Sequence, residues 1–183
     1  EAFASLSDRV IIMRITANKP GKISFSAYYS SPHSKKTSGI TAGRDLTLSG
    51  LTSTHETIEG KIKFKGITRI KLDGGTLSVT DTSVIVTNAN SAILFISIAT
   101  NFINYADISG NEEKMASAFL DRAFQKAYAT LLSTHIAAYQ KYFHRVKIDL
   151  GKTPGPDLPT DQRLKNFRNT TDPDMVELYY QYG

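Results

Sequence analysis

The chain has 183 residues, 40% of them hydrophobic, with no cysteine, no tryptophan and a formal net charge of +5. That length suits one domain, or one domain plus part of another, and the apolar content allows a real core. The missing cysteine excludes disulfides and thiolate metal sites, and the longest apolar run, AILFISIA at 92–99, is far too short to cross a bilayer.

The first hundred residues punctuate like an all-β unit. RVIIMRIT (9–16) is apolar on both faces and reads as a buried strand, NKPG (18–21) as a turn, and KISFSAYY (22–29) as an alternating strand. SSPHSKKTSG (30–39) reads as a loop. Strand signals resume at DLTLSG (45–50) and GKIKFKGITRIKLD (60–73), GG at 74–75 turns the chain, and 76–102 holds three strands with short polar breaks. Strands at this spacing indicate a sandwich. The densest basic run, Lys61, Lys63 and Lys65, alternates with Ile62 and Phe64. That is a solvated strand face rather than a nucleic-acid patch.

The character changes at 107–113, where DISGNEE carries a capping box with Ser109 as N-cap and Glu112 three residues later. From there to about 144 no proline or glycine interrupts, and Phe124, Tyr128, Leu131, Leu132, His135, Tyr139, Tyr142 and Phe143 keep helical spacing. One helix over that span would be ~45–50 Å long. RVKIDLG (145–151) then alternates like a strand, and KTPGPDLP (152–159) reads as a linker. A short helix is expected at 159–167 with Thr160 as N-cap, and another from Asp172, with Pro173 at the first helical position. Its stripe of Met175, Leu178, Tyr179 and Tyr182 finds nothing further along the chain to pack on. The chain opens at Glu1 without methionine, shows no signal peptide, and stops at Gly183 after the tyrosine-rich LYYQY. A piece of a larger protein is expected.

No catalytic, cofactor-binding or metal-binding residue stands out. Asp45, Glu56, Glu59, Asp73 and Asp81 lie in turns or on polar strand faces, without the paired spacing or apolar setting that glycoside hydrolysis asks of two carboxyl groups. His33 and His55 sit in polar segments. His135 and His144 are nine residues apart, on different helix faces, so they form no i, i+4 metal pair. His135, on the apolar stripe, reads as a structural histidine. There is no nucleophile elbow and no phosphate loop. A carbohydrate-binding module would ask for an aromatic platform. Tyr28 and Tyr29 are the only strand tyrosines, and one of them should face the core.

The stretches EAFASLSDRVIIMRITANKPGKISF, SAILFISIATNFINY (91–105), HIAAYQKYFHRVKIDLG (135–151), LPTDQRL (158–164) and DPDMVELYYQYG (172–183) occur in one order. Together they resemble glycoside hydrolase family 95, the α-L-fucosidase family of bacterial and plant enzymes. Glu1, Phe3, Ser5, Asp8 and Val10 match the strand that opens this half of the family's N-terminal sandwich. Ala99, Thr100, Asn101 and Tyr105 match its strand-to-helix exit. His135, Tyr139, Phe143, Arg145, Val146, Leu150 and Gly151 match the end of its linker helix, and Pro159, Thr160, Asp161, Arg163 and Leu164 the short helix that follows. Asp172, Pro173, Leu178, Tyr179, Gln181, Tyr182 and Gly183 match the first helix of its catalytic (α/α)6 barrel.

The resemblance implies an α+β chain. Residues 1–106 would be part of a galactose-mutarotase-like antiparallel β-sandwich, 107–158 a linker helix and short strand, and 159–183 the start of the barrel. It also implies an inverting exo-hydrolase of terminal α-L-fucose. There a barrel glutamic acid protonates the leaving oxygen, and an asparagine held with an aspartate positions the water. Those groups would lie outside this chain, which needs no cofactor. The expected partner is a glycan engaged through the barrel, with no nucleic acid and no membrane insertion, in the periplasm or outside a bacterial cell. An α-L-galactosidase of the same family, a stand-alone carbohydrate-binding module, and a phosphorylase sharing the sandwich–helix–barrel layout are the alternatives.

Overall fold

The computed structural model describes residues 1–151 and 157–182. Among these residues nine strands and four α-helices form an α+β chain, which divides into two compact units, residues 1–138 and 139–183.

In the first unit the strands are β1 (Ala2–Ser5), β2 (Val10–Thr16), β3 (Ile23–Tyr28), β4 (Lys36–Ile40), β5 (Leu46–Leu51), β6 (Lys63–Asp73), β7 (Thr76–Val79), β8 (Ser83–Ala89) and β9 (Ser91–Thr100). A six-stranded antiparallel sheet runs β1-β2-β9-β6-β5-β4, and a three-stranded sheet runs β3-β8-β7. The β6–β7 hairpin turns on Gly74 and Gly75, with φ of +65° and +69°. A two-residue turn with both central residues at positive φ matches the twist of the strands, and only glycine takes it without steric cost. A Cβ on Gly75 would lie 2.5 Å from the Thr87 carbonyl oxygen.

Alternation gives the large sheet two apolar faces. On one, Val10, Ile12, Ile67, Phe95 and Ala99 pack with Ala116, Leu120, Ala123 and Leu131 of the helices α1 (Glu112–Phe124) and α2 (Tyr128–Phe143). On the other, Ile15, Ile70 and Leu72 meet Ile23, Val86 and Ala89 of the small sheet. In the second unit α3 (Thr160–Asn166) leads through a 3-10 turn (Phe167–Asn169) to α4 (Pro173–Tyr182).

The structure corrects five local expectations. The helix after 107 is not continuous. It breaks at 125–127, where Phe124 turns onto Phe95 with ring centroids 5.1 Å apart and Lys126 turns toward Asp8. No breaker residue marks this place, so tertiary contacts end α1. The N-cap is Asn111, whose side chain accepts from the Lys114 N–H, and not Ser109. Strand β4 lies inside the stretch read as a loop, because β5 offers it a pairing edge from Lys36↔Gly50 to Ile40↔Leu46. Residues 146–150 form no strand; without a partner strand an alternating pattern has no ladder to join. Thr160 begins α3 but does not cap it, as Pro159 takes the N-cap place without a side-chain bond. The linker read at 152–159 lies, over 152–156, outside the described residues.

Candidate functional site

The acidic residues are occupied in structural work or stand in solvent. Asp45, just before β5, takes a two-pronged contact from Arg69 of β6, at 2.9 and 2.7 Å. Arg69 also reaches Asp121 of α1 at 2.9 Å and lies 5.1 Å over the Phe124 ring. Its hydrogen bond to Asp45 raises the guanidinium pKa further. The cluster ties sheet to helix. Glu56, Glu59, Asp73 and Asp81 are exposed.

Asp8 is the carboxylate whose burial the sequence does not announce. It is 0% exposed in the turn after β1. The Ser5 hydroxyl donates to it at 2.9 Å, and Lys126 from the α1–α2 break donates at 2.5 Å across 118 residues of sequence. Burial pushes its pKa up, but the Lys126 and Ser5 hydrogen bonds outweigh burial and hold it below the ordinary value. In the second unit Arg163 grips Asp172 at 2.8 and 2.6 Å, and Asp172 caps α4 by accepting the Met175 N–H at 3.0 Å. The Arg163 hydrogen bond leads in lowering the Asp172 pKa. A general acid needs a raised carboxyl pKa, yet Asp8, Asp107 and Asp172 all move down. Among the described residues no three His, Asp or Glu side chains gather as metal ligands.

The histidines also serve packing. His33 Nδ1 accepts the Ser53 N–H at 3.1 Å, and its ring lies 5.3 Å from Phe64. His55 sits in an isolated bridge to Ile58 and is exposed. His135 is half-buried and stacks on Phe3 of β1, with centroids 4.8 Å apart and ring planes at 25°. His144 is exposed and lies edge-on to Phe143, with ring centroids 5.9 Å apart. Of the strand tyrosines, Tyr28 is exposed while Tyr29 is half-buried and bonds Thr68, 2.6 Å away. No aromatic pair forms a flat sugar platform on this sheet.

Each unit also carries a concave surface. An open cleft of about 480 Å³, beside the first turn of α1, is lined by Lys35, Lys36, Lys63, Leu51, Phe64 and Glu112 among others. Glu112 is the one carboxylate among its lining residues, so it lacks the pair that glycoside hydrolysis asks for. In the second unit Leu164, Phe167, Met175, Val176 and Tyr179 line an apolar hollow of about 390 Å³ between α3 and α4. It carries no catalytic chemistry.

Comparison with known proteins gives this arrangement a context. Residues 1–105 match the family described as glycosyl hydrolase family 65, N-terminal domain, and residues 127–183 match the glycosyl hydrolase family 95 catalytic domain. Alpha-L-fucosidase 2 of Arabidopsis thaliana is 27% identical in an alignment that covers 100% of this chain and 25% of that protein. The chain thus spans about a quarter of the curated relative it matches. A solved structure described as a kojibiose phosphorylase from the human microbiome superposes with a TM-score of 0.52 at 14% identity, over 78% of this chain and 21% of its own. That likeness concerns the fold.

Proposed function

Because this chain belongs to the glycosyl hydrolases, with a family 65 N-terminal domain leading into a family 95 catalytic domain, we propose that it is the non-catalytic sandwich and linker portion of an exo-acting α-L-fucosidase. The carrying observation is the alignment to Alpha-L-fucosidase 2, which covers 100% of this chain at 27% identity. In this reading residues 1–106 are the sandwich portion, 107–158 the linker, and 159–183 the opening of the catalytic barrel. The glycan is held by the barrel. Its glutamic acid protonates the leaving oxygen, and its asparagine–aspartate pair directs a water to the opposite face, so the sugar leaves inverted. The described residues support a role in framing: their buried charges tie elements together, and none is poised as a general acid. Export to the periplasm or cell surface of a bacterium belongs to the same proposal, and a complete gene without a signal sequence would refute that part.

The test is hydrolysis of an α-1,2-fucosylated oligosaccharide by the full-length protein in phosphate-free buffer, with the first anomer formed read by NMR. Release of β-L-fucose without phosphate supports the proposal. Dependence on phosphate would make the protein a phosphorylase, and faster release from an α-L-galactoside would make it the galactosidase. Residues 1–183 alone should release no fucose above a buffer blank.

A further inference from the structure

The face of the large sheet that carries α1 is not covered to its edge. Helix α1 packs on β9 and β6, and β5 and β4 continue the sheet beyond it. Register shows what stands there. Thr37 pairs with Ser49, Ser49 with Lys65, and Leu51 with Lys63. Directly opposed residues share a face, and Lys65 reaches Glu113 of α1 at 3.7 Å. Thr37, Ser49, Leu51 and Lys63 therefore lie on the helix side, at the step between the first turn of α1 and the outer strands. This step forms the cleft of about 480 Å³, a volume inside the range of roughly 300–1,000 Å³ common for ligand sites.

The charge of the cleft is unbalanced. Lys35, Lys36 and Lys63 line it against the single carboxylate of Glu112, and all three lysines are exposed. Lys36 donates to the Ser31 carbonyl. Among the described residues none of the three forms an ion pair, whereas Lys65 and Arg69, farther along β6, are matched by Glu113, Asp45 and Asp121. The first turn of α1 adds the positive end of the helix dipole. Like charges gathered in one cleft raise its potential and attract an anion.

We propose that this cleft binds an acidic oligosaccharide, with the ammonium groups of Lys35 and Lys63 on its carboxylate or sulfate groups. The lining favours a sugar over other polyanions. Thr37 and Ser49 offer hydroxyls to a polyol, and Leu51 offers an apolar patch to the C–H face of a sugar ring. A nucleic acid strand asks for a row of aromatic rings on which successive bases stack, and Phe64, half-buried, is the one aromatic residue of the lining. The choice of a saccharide rests on the reading of the parent as a glycosidase, and the choice of an anion rests on the charge alone.

The experiment measures binding by the full-length protein, by isothermal titration calorimetry at low salt in a buffer without phosphate. The probes are tetragalacturonate, a sulfated galactan tetrasaccharide, neutral cellotetraose and a thymidine tetranucleotide. None contains fucose, so failure of the fucosidase reading would leave this result standing. Tetragalacturonate or the sulfated tetrasaccharide should bind roughly tenfold or more tightly than cellotetraose, and the tighter of the two identifies the anionic group. Lys35→Gln combined with Lys63→Gln should weaken that binding roughly tenfold, since each exposed charge contributes modestly, with the melting temperature kept. Glu112→Gln should tighten it about threefold, a change that loss of folding cannot mimic. Equal affinity for acidic and neutral probes, or affinity unmoved by these substitutions, would overturn the proposal. So would a tetranucleotide bound as tightly as the acidic saccharides.

Discussion

The ion pair between Asp8 and Lys126 should be the most sensitive polar contact of the first unit. Lys126→Met keeps most of the side chain's stem and removes its charge. Asp8 then retains the Ser5 hydroxyl at 2.9 Å, but its Oδ1 loses the partner at 2.5 Å. Breaking a buried pair by removing one member costs about 3–5 kcal/mol when both groups are enclosed. Here the Asp8 side chain is 1% exposed and that of Lys126 37%, so water reaches the cation and the expected loss falls to about 2 kcal/mol. The assay is urea unfolding of the chain, followed by far-UV circular dichroism, at several pH values. The folded-state pKa of Asp8 lies below its unfolded value. Its contribution is therefore fully present above about pH 4, and is lost as pH falls through the folded value. Wild type and Lys126→Met should differ at pH 7 and converge below pH 4. Midpoints that coincide at pH 7, or a difference that persists undiminished at pH 2, would refute the reasoning.

His135→Ala removes a ring stacked on Phe3, and should cost on the order of 1–3 kcal/mol while turnover of the folded full-length enzyme is retained; an unchanged melting temperature with activity lost would place it in the chemistry instead. Arg163→Lys cannot reproduce the two-pronged grip on Asp172, so amides at the start of α4 should exchange faster by mass spectrometry, with α1 unaffected. Gly50→Ala puts a Cβ 2.4 Å from the Phe64 ring and 2.6 Å from the Lys35 carbonyl oxygen, and overpacking of this kind should lower stability by about 1–3 kcal/mol in thermal unfolding.

Strand β6 shows how far local pattern reaches. The strand and the GG turn after it were legible at 60–75, because a two-glycine hairpin acts between near neighbours; the solvated lysine face was not borne out, as Lys61 precedes the strand and the Lys65 side chain is only 14% exposed and lies 3.7 Å from Glu113 of α1. Asp172 was legible for the same reason: an N-cap three residues before the N–H it accepts is a local device. β4 was not, since KTSGI carries no strand signal and forms one only because β5 lies alongside. The helix break at 125–127 was hidden too. Helical spacing runs straight through it, and only the fold brings Asp8 within reach of Lys126.

The candidate site follows the same division. The ordered stretches from Glu1 to Gly183 carried the family likeness. Which acids are buried, and by what they are held, could not. Asp8 and Asp45 look like ordinary turn acids in sequence, yet each is enclosed by a cation from another element. Local periodicity marks many of the strands and helices, because it reflects interactions over a few residues. Tertiary structure decides where helices end, which edge stays open and which charges are desolvated, because those depend on partners 24 and 118 residues away.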